Sequence, residues 1–231
     1  MAQRYTATKI GPELTVIDDD FVRMFLITGS ERALLFDAGN PDGDLAAFVA
    51  ELTALPVTVI LSHAHGDHVG ALEQFGKALL HRDEEPLLRQ HYKDLPVEYV
   101  SDGQEFDLGG ESVTAYHVPG HTPGGLVLLD KSRRRLYAGD MLSDLSLYMF
   151  MDHCSLKDFV ASMDKLAALP FDEAYTSHGS LVIGRESVEG LRVVAAGVLD
   201  GSLKPEIEHK EFTDGETAKT ARIGKYSMHI K

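Results

Sequence analysis

Cysteine is nearly absent from this chain: Cys154 is the only one in 231 residues. No disulfide can close within it, so a disulfide framework is excluded and a reducing compartment fits. Positive charge is also scarce, with 22 Lys and Arg against 36 Asp and Glu, a formal net charge of −14. That balance opposes nonspecific binding to nucleic acid or to an anionic membrane, both of which require a basic face. No run approaches the roughly 18 apolar residues of a membrane span. Residues 1–20 mix charged and apolar side chains where a signal peptide would carry an apolar core. Linkers rich in Pro, Gly or Ser, low-complexity tracts and internal repeats are missing too. The expectation is a cytoplasmic protein with no nucleic-acid or membrane partner. The composition that remains, 44% hydrophobic and 25% charged, is that of an ordinary globule. A single domain over residues 1–231 is expected, with a short helix-and-hairpin extension from about 185.

Strand-like runs fall in two groups. The first comprises residues 14–17, 22–28, 33–36 and 57–61, and the second comprises 113–118, 126–129, 135–138 and 173–176. Helices are expected at 44–55, 69–76, 156–169 and 186–199, the third N-capped by Ser155 and ended by Pro170. A hairpin around Asp214-Gly215 is expected over 206–230. Two sheets packed together with helices outside would bury both groups of strands.

The 11 histidines are most informative where they cluster. A strand runs into His63-Ala64-His65-Gly66-Asp67-His68. Alternate residues of extended chain share a face, so His63 and His65 point the same way, with Asp67 and His68 at the following turn. His121 lies in Pro119-Gly120-His121-Thr122-Pro123-Gly124-Gly125, Asp140 ends the run Leu136-Tyr137-Ala138-Gly139, and His178 follows Thr176-Ser177. Each sits at or near a strand end beside a glycine, where loops can converge on one sheet edge.

His63-x-His65-x-Asp67-His68, followed in order by His121, Asp140 and His178 and preceded by Asp37-Ala38-Gly39, resembles the metallo-β-lactamase-fold hydrolases. The resemblance covers about residues 14–179 and implies an α+β fold, a four-layer αββα sandwich. It also implies the ligands. His63, His65 and His121 would hold one metal and Asp67, His68 and His178 a second, with Asp140 bridging. The cofactors would be two divalent ions, Zn²⁺ first, with Fe or Mn as alternatives. A hydroxide bridging them would attack a thioester, ester or lactone carbonyl of a small molecule, with Asp67 as the catalytic carboxylate. The motif is similar to that of glyoxalase II, without the full helical domain that grips glutathione there. A mononuclear iron persulfide dioxygenase and a lactam-hydrolysing enzyme are the alternatives, and a homodimer is a further expectation.

The apolar stretch 141–153 follows Asp140 directly and is a candidate substrate wall, with Tyr148 and His153 as candidate substrate-binding groups. Cys154 reads as a small buried hydrophobe and His117 as a packed residue. Arg23 is a candidate for meeting an anionic substrate, and His81, His91, His209 and His229 are expected on the surface.

Overall fold

The structure is a computed structural model that describes residues 4–211 and 217–231. The chain begins with β1 (Thr6–Lys9), β2 (Leu14–Asp19), β3 (Val22–Thr28) and β4 (Ala33–Phe36), joined as successive antiparallel neighbours. Helix α1 (Leu45–Leu52) follows, its first turn capped by the Asp44 carboxylate, which accepts the Ala47 N–H. Then come β5 (Val57–Ile60), the single turn α2 (Gly66–Val69), β6 (Ala78–Leu80), α3 (Glu85–His91) and β7 (Val97–Tyr99). All seven strands form one sheet in sequence order, and β4 to β7 run parallel.

A second sheet uses β8 (Glu105–Asp107), β9 (Ser112–His117), β10 (Leu126–Asp130) and β11 (Arg135–Gly139). After β12 (Leu147–Met149) and α4 (Leu156–Ala168) it is completed by β13 (Glu173–Thr176) and β14 (Val182–Gly184), in the order β14-β13-β11-β10-β9-β8. Helix α5 (Glu186–Asp200) leads to β15 (Glu206–Glu211), β16 (Thr217–Ile223) and β17 (Tyr226–Ile230). These three and β12 make a third sheet, ordered β12-β17-β16-β15.

Side-chain alternation explains the layering. Both faces of the strands are apolar, so both must be covered. Phe25, Ile27, Leu34 and Phe36 meet Leu126, Leu128 and Tyr137 between the two main sheets. Met24, Leu26 and Leu35, on the opposite face, pack with Leu45, Phe48 and Leu88 of α1 and α3. Val127, Leu129 and Leu136 pack outward on Phe159, Met163, Leu191 and Val194 of α4 and α5. The result is the expected αββα sandwich.

Two local expectations differ from the structure. The helix expected at 69–76 is instead one turn at Gly66–Val69, then a 3₁₀ turn at Leu72–Phe75. The amides of Gly70 and Ala71 donate to the carbonyls of Gly39 and Ala38, so they are diverted from helix to loop. A Cβ on Gly70 would lie 2.2 Å from the Asn40 carbonyl carbon, a contact only glycine avoids. The hairpin expected at 206–230 is three strands, because Gly224-Lys225 makes a second turn between β16 and β17. Its expected turn at Asp214-Gly215 lies outside the described residues. The short strands β6, β7 and β8 escape periodicity because three residues are too few to show one.

Candidate metal centre

The centre lies where β5, β11 and β13 end on one rim of the sandwich. Beyond β5 the chain carries Ser62 and His63, and His65 precedes α2 in β conformation. His63 Nε2 and His65 Nδ1 stand 3.0 Å apart. Helix α2 then holds Asp67 and His68 in one turn.

His121 comes from the loop between β9 and β10, which α4 grips. The Gly120 carbonyl accepts the Ser155 N–H at 2.8 Å, and the Pro119 carbonyl accepts the Ser162 hydroxyl at 2.7 Å. Gly120 sits at φ 144°, and a Cβ there would come within 2.6 Å of Phe159 Cα. Glu84, fully buried, ties this loop to the histidine loop. Its Oε1 accepts the Ala64 N–H at 2.7 Å and its Oε2 the Gly124 N–H at 2.8 Å.

The outward nitrogen of each of five imidazoles has a partner, which turns the other nitrogen inward. His121 Nδ1 donates to the Tyr148 carbonyl at 2.9 Å, and His178 Nδ1 to the Phe21 carbonyl at 2.8 Å. His68 Nδ1 meets Asp37 Oδ2 at 2.8 Å. His63 Nδ1 meets Ser62 Oγ at 2.9 Å, and that hydroxyl donates to Asp37 Oδ2. His65 presents Nδ1 inward, and its Nε2 faces His153 Nε2 at 3.0 Å. Fixing one ring nitrogen in this way sets the tautomer of the other. Asp37 anchors two of these contacts from a buried, left-handed backbone conformation, φ 71°, which costs a non-glycine residue about 1–3 kcal/mol.

Two donor sets result. His63, His65 and His121 form one, in which His121 Nε2 lies 3.1 Å from His65 Nδ1. Asp67, His68 and His178 form the other, with His178 Nε2 lying 3.2 Å from Asp67 Oδ2 and 3.4 Å from His68 Nε2. Asp140 stands between them. Its Oδ1 is 3.4 Å from His68 Nε2 and 3.3 Å from His178 Nε2, and its Oδ2 is 3.8 Å from His121 Nε2.

The electrostatics of the two sets differ. Burial pushes His63 and His65 well below the ordinary imidazole value and lowers His121, so this set presents neutral lone pairs at pH 7. Burial also opposes charge on His68, but Asp140, Asp37 and Asp67 outweigh it and raise its pKa well above the ordinary value. His178 is likewise opposed by burial, yet is raised to about 10 by the facing carboxylates of Asp140 and Asp67. Burial would raise Asp67, but His68 and His178 draw it down to about 2.

The donor chemistry fits divalent ions. Neutral imidazoles about 3 Å apart approach the ~3.3 Å ligand–ligand edge of a tetrahedral ion with bonds of about 2.0–2.1 Å. Asp140 Oδ1 is buried without a hydrogen-bonded donor, an arrangement that a cation would satisfy.

A cleft of about 900 Å³ opens over both sets, walled by Phe21, Leu145, Leu147, Tyr148, Met151 and His229. Much of stretch 141–153 therefore borders the cleft, although Met141, Leu142, Met149 and Phe150 pack into the interior. His153 is not among the wall residues, and its described contact is with His65. Arg23 is not offered to an anion: it donates to the carbonyls of Thr176 and Gly179 and to Asp18, bracing the loop of His178. His81 is half-buried and stacks on His117 with ring centroids 3.6 Å apart. His229, expected at the surface, is buried. The alternation of β17 could have removed it from the core face, but no sequence signal brings the other face to the cleft. The side chain of His209 lies outside the described residues.

Known proteins resemble this chain in sequence and in structure. The family model of the metallo-beta-lactamase superfamily matches residues 17–178. A Caenorhabditis elegans beta-lactamase-like protein 2 homolog is 27% identical over 167 residues, 68% of this chain and 56% of that protein. The Homo sapiens acyl-coenzyme A thioesterase MBLAC2 is 25% identical over 187 residues, covering 63% of this chain and 67% of its own length. The atrochrysone carboxyl ACP thioesterase of Passalora fulva is 26% identical over 162 residues, 67% of this chain and 47% of that protein. The chain thus spans about half to two thirds of the length of these curated relatives. Among solved structures, a metallo-beta-lactamase from Pontibacter korlensis superposes with a TM-score of 0.73 at 19% identity. It covers 83% of this chain and 99% of its own, and shows the shared fold.

Proposed function

Because the chain belongs to the metallo-beta-lactamase superfamily, we propose that it is a metal-dependent hydrolase that cleaves small-molecule thioesters. Membership implies divalent metal binding. The observation that carries the reading is the pair of facing donor sets, joined through Asp140, at the floor of an apolar cleft. His63, His65 and His121 would hold one ion, Asp67, His68 and His178 a second, and Asp140 would contribute to both, with zinc the first choice and iron or manganese the alternatives. Such ions supply a water nucleophile ionised near neutral pH and a Lewis acid for the carbonyl.

The chain's own residues do the rest. Asp67 borders the cleft, and a bound cation beside it would keep its carboxylate ionised across the neutral range. Its carboxylate therefore accepts a hydrogen bond from the water, orients it and passes its proton toward the leaving group. His153 accepts from His65 Nε2–H and keeps Nδ1 of His65 directed inward. Tyr148, 48% exposed at the cleft wall, is placed to meet the substrate. The thioester is chosen over esters and lactones because two of the relatives are named thioesterases. A cytoplasmic location and a homodimer belong to the same proposal. Among the described residues no helix is long and apolar enough to cross a membrane.

Elemental analysis of protein purified without added metal or chelator is the test, followed by thiol release from acyl thioesters. About two ions per chain with thioester turnover is the expected result. One iron per chain, with oxygen uptake on a persulfide, would replace this reading with the dioxygenase.

A further inference from the structure

Among the described residues, one further group of imidazole and carboxylate donors stands apart from the centre. His81 follows β6 of the first sheet, Asp83 lies in the 3₁₀ turn Arg82–Glu84 just after it, and His117 ends β9 of the second sheet. None of the three lines the cleft. Each offers one ligand atom, and the three atoms lie within 4.8 Å of one another.

Their ring nitrogens are already sorted. His117 Nε2–H donates to the Pro123 carbonyl at 2.9 Å, which leaves the lone pair on Nδ1. A carbonyl partner of the same kind aims His121 and His178 at the centre. Burial, and then the neighbouring His117, lowers the pKa of His81, so it is neutral at pH 7 and keeps a lone pair as well. Its Nδ1 lies 3.6 Å from Asp83 Oδ2 and accepts the Asp83 N–H at 3.3 Å, a long bond. The two rings stack with centroids 3.6 Å apart and planes 11° apart, so their in-plane lone pairs run side by side. They converge on one ion once a ring turns about χ2, a soft torsion for histidine. His117 is fixed, because Asp102 accepts its backbone N–H and Pro123 its ring N–H. His81 is the ring that turns, and it gives up only the long bond. Lys165 is paired with Asp102, which leaves the Asp83 carboxylate to balance an ion.

We propose that His81, Asp83 and His117 form a third metal site, which takes up a borderline divalent ion, zinc first, and clasps the turn after β6 to the end of β9. Two imidazoles and a carboxylate suit zinc, and water completes the shell on the exposed side of Asp83. The carboxylate is open to solvent and His81 must turn to bind, so this site is weaker than the centre and fills from added metal. The clasp joins the two main sheets one residue from Glu84, which ties the His121 loop to the histidine loop. The inference does not depend on thioester hydrolysis, and its test counts ions rather than turnover.

The probe is zinc chloride, added in a dilution series to the full chain by equilibrium dialysis and read by elemental analysis. At saturation the wild-type chain should hold one ion more than His81→Phe, which keeps a ring stacked on His117 but has no donor atom. Ions at the centre count equally in both and cancel from the difference. Asp83→Asn, at an exposed position that leaves both rings in place, should weaken the added ion by about tenfold or more. With zinc at 100 times the Kd of the added ion, the wild-type Tm should rise by about 5–10 °C more than that of His81→Phe. Equal saturation of wild type and His81→Phe would overturn the proposal and leave the stacked pair as packing alone. An Asp83→Asn isotherm that matches the wild type would overturn the three-ligand site. Loss of two or more ions from His81→Phe would place the effect at the centre and overturn it as well. An extra ion in a chain that cleaves no thioester would keep this inference and defeat the hydrolase reading, and thioester cleavage without the extra ion would do the reverse.

Discussion

Each imidazole at this centre is aimed by what its second nitrogen touches. His121 and His178 are held by backbone carbonyls, His68 by the strained Asp37 and His63 by Ser62. Asp140 faces both sets. Asp140→Ala is expected to lower the content of both ions and the activity together, as read by elemental analysis. Full occupancy of both sites would refute its bridging role. His121→Ala is expected to lose mainly the first ion, and selective loss of the second would reverse the partition. Cys154 offers a contrast. Its thiol donates to the His121 carbonyl at 3.1 Å, and burial pushes its pKa up to about 11. Iodoacetamide at pH 8 should therefore modify it about a hundredfold more slowly than a free thiol, and rapid alkylation would show that the thiol is open to solvent.

Loops carry the ligands, and the elements around them set where those loops stand. Helix α4 clamps the His121 loop, Arg23 braces the His178 loop, and Glu84 couples the His121 loop to the histidine loop. Burial outweighs the two amide bonds to Glu84 and raises its pKa above the ordinary 4.5. The folded state therefore keeps this proton to higher pH than the unfolded chain does. The stability contributed by Glu84 is fully present below pH 4.5 and is lost as pH rises through the raised folded value. Glu84→Gln has no such window, so wild-type stability should fall relative to the variant across that range. Urea midpoints of metal-free protein measure it, and a constant difference would deny the raised pKa. Among these elements, the αββα layers, α1, α4 and α5 are legible from apolar spacing and caps. Glu84 was not, since a glutamate just before a short amphipathic helix reads as solvated until the fold brings Ala64 and Gly124 against it.

Across the molecule, the centre joins residues from four loops, and ions there would cross-link both main sheets. Removing them should destabilise the whole chain. Free metal at 1,000 times Kd stabilises by about 4 kcal/mol. At about 2–4 °C per kcal/mol for a chain of this size, chelation should lower Tm by about 8–16 °C. Calorimetry with and without chelator reads the shift, and an unchanged Tm would argue against ions bound in the folded state. The third sheet is the other whole-molecule feature, because a C-terminal strand completes a wall begun by β12 some eighty positions earlier.

The local sequence by itself determined the strand groups, the main helices and the order of the chemistry-bearing residues. It did so because periodicity, caps and the spacing of His63, His65, Asp67 and His68 act over a few residues. Tertiary structure alone decided which nitrogen of each histidine faces inward, that Arg23 is a brace, that Glu84 is buried and that His229 borders the cleft. Those outcomes depend on contacts between segments far apart in the chain. His229 and Tyr148 are separated by 81 positions and become neighbours only through the register of a parallel strand pair.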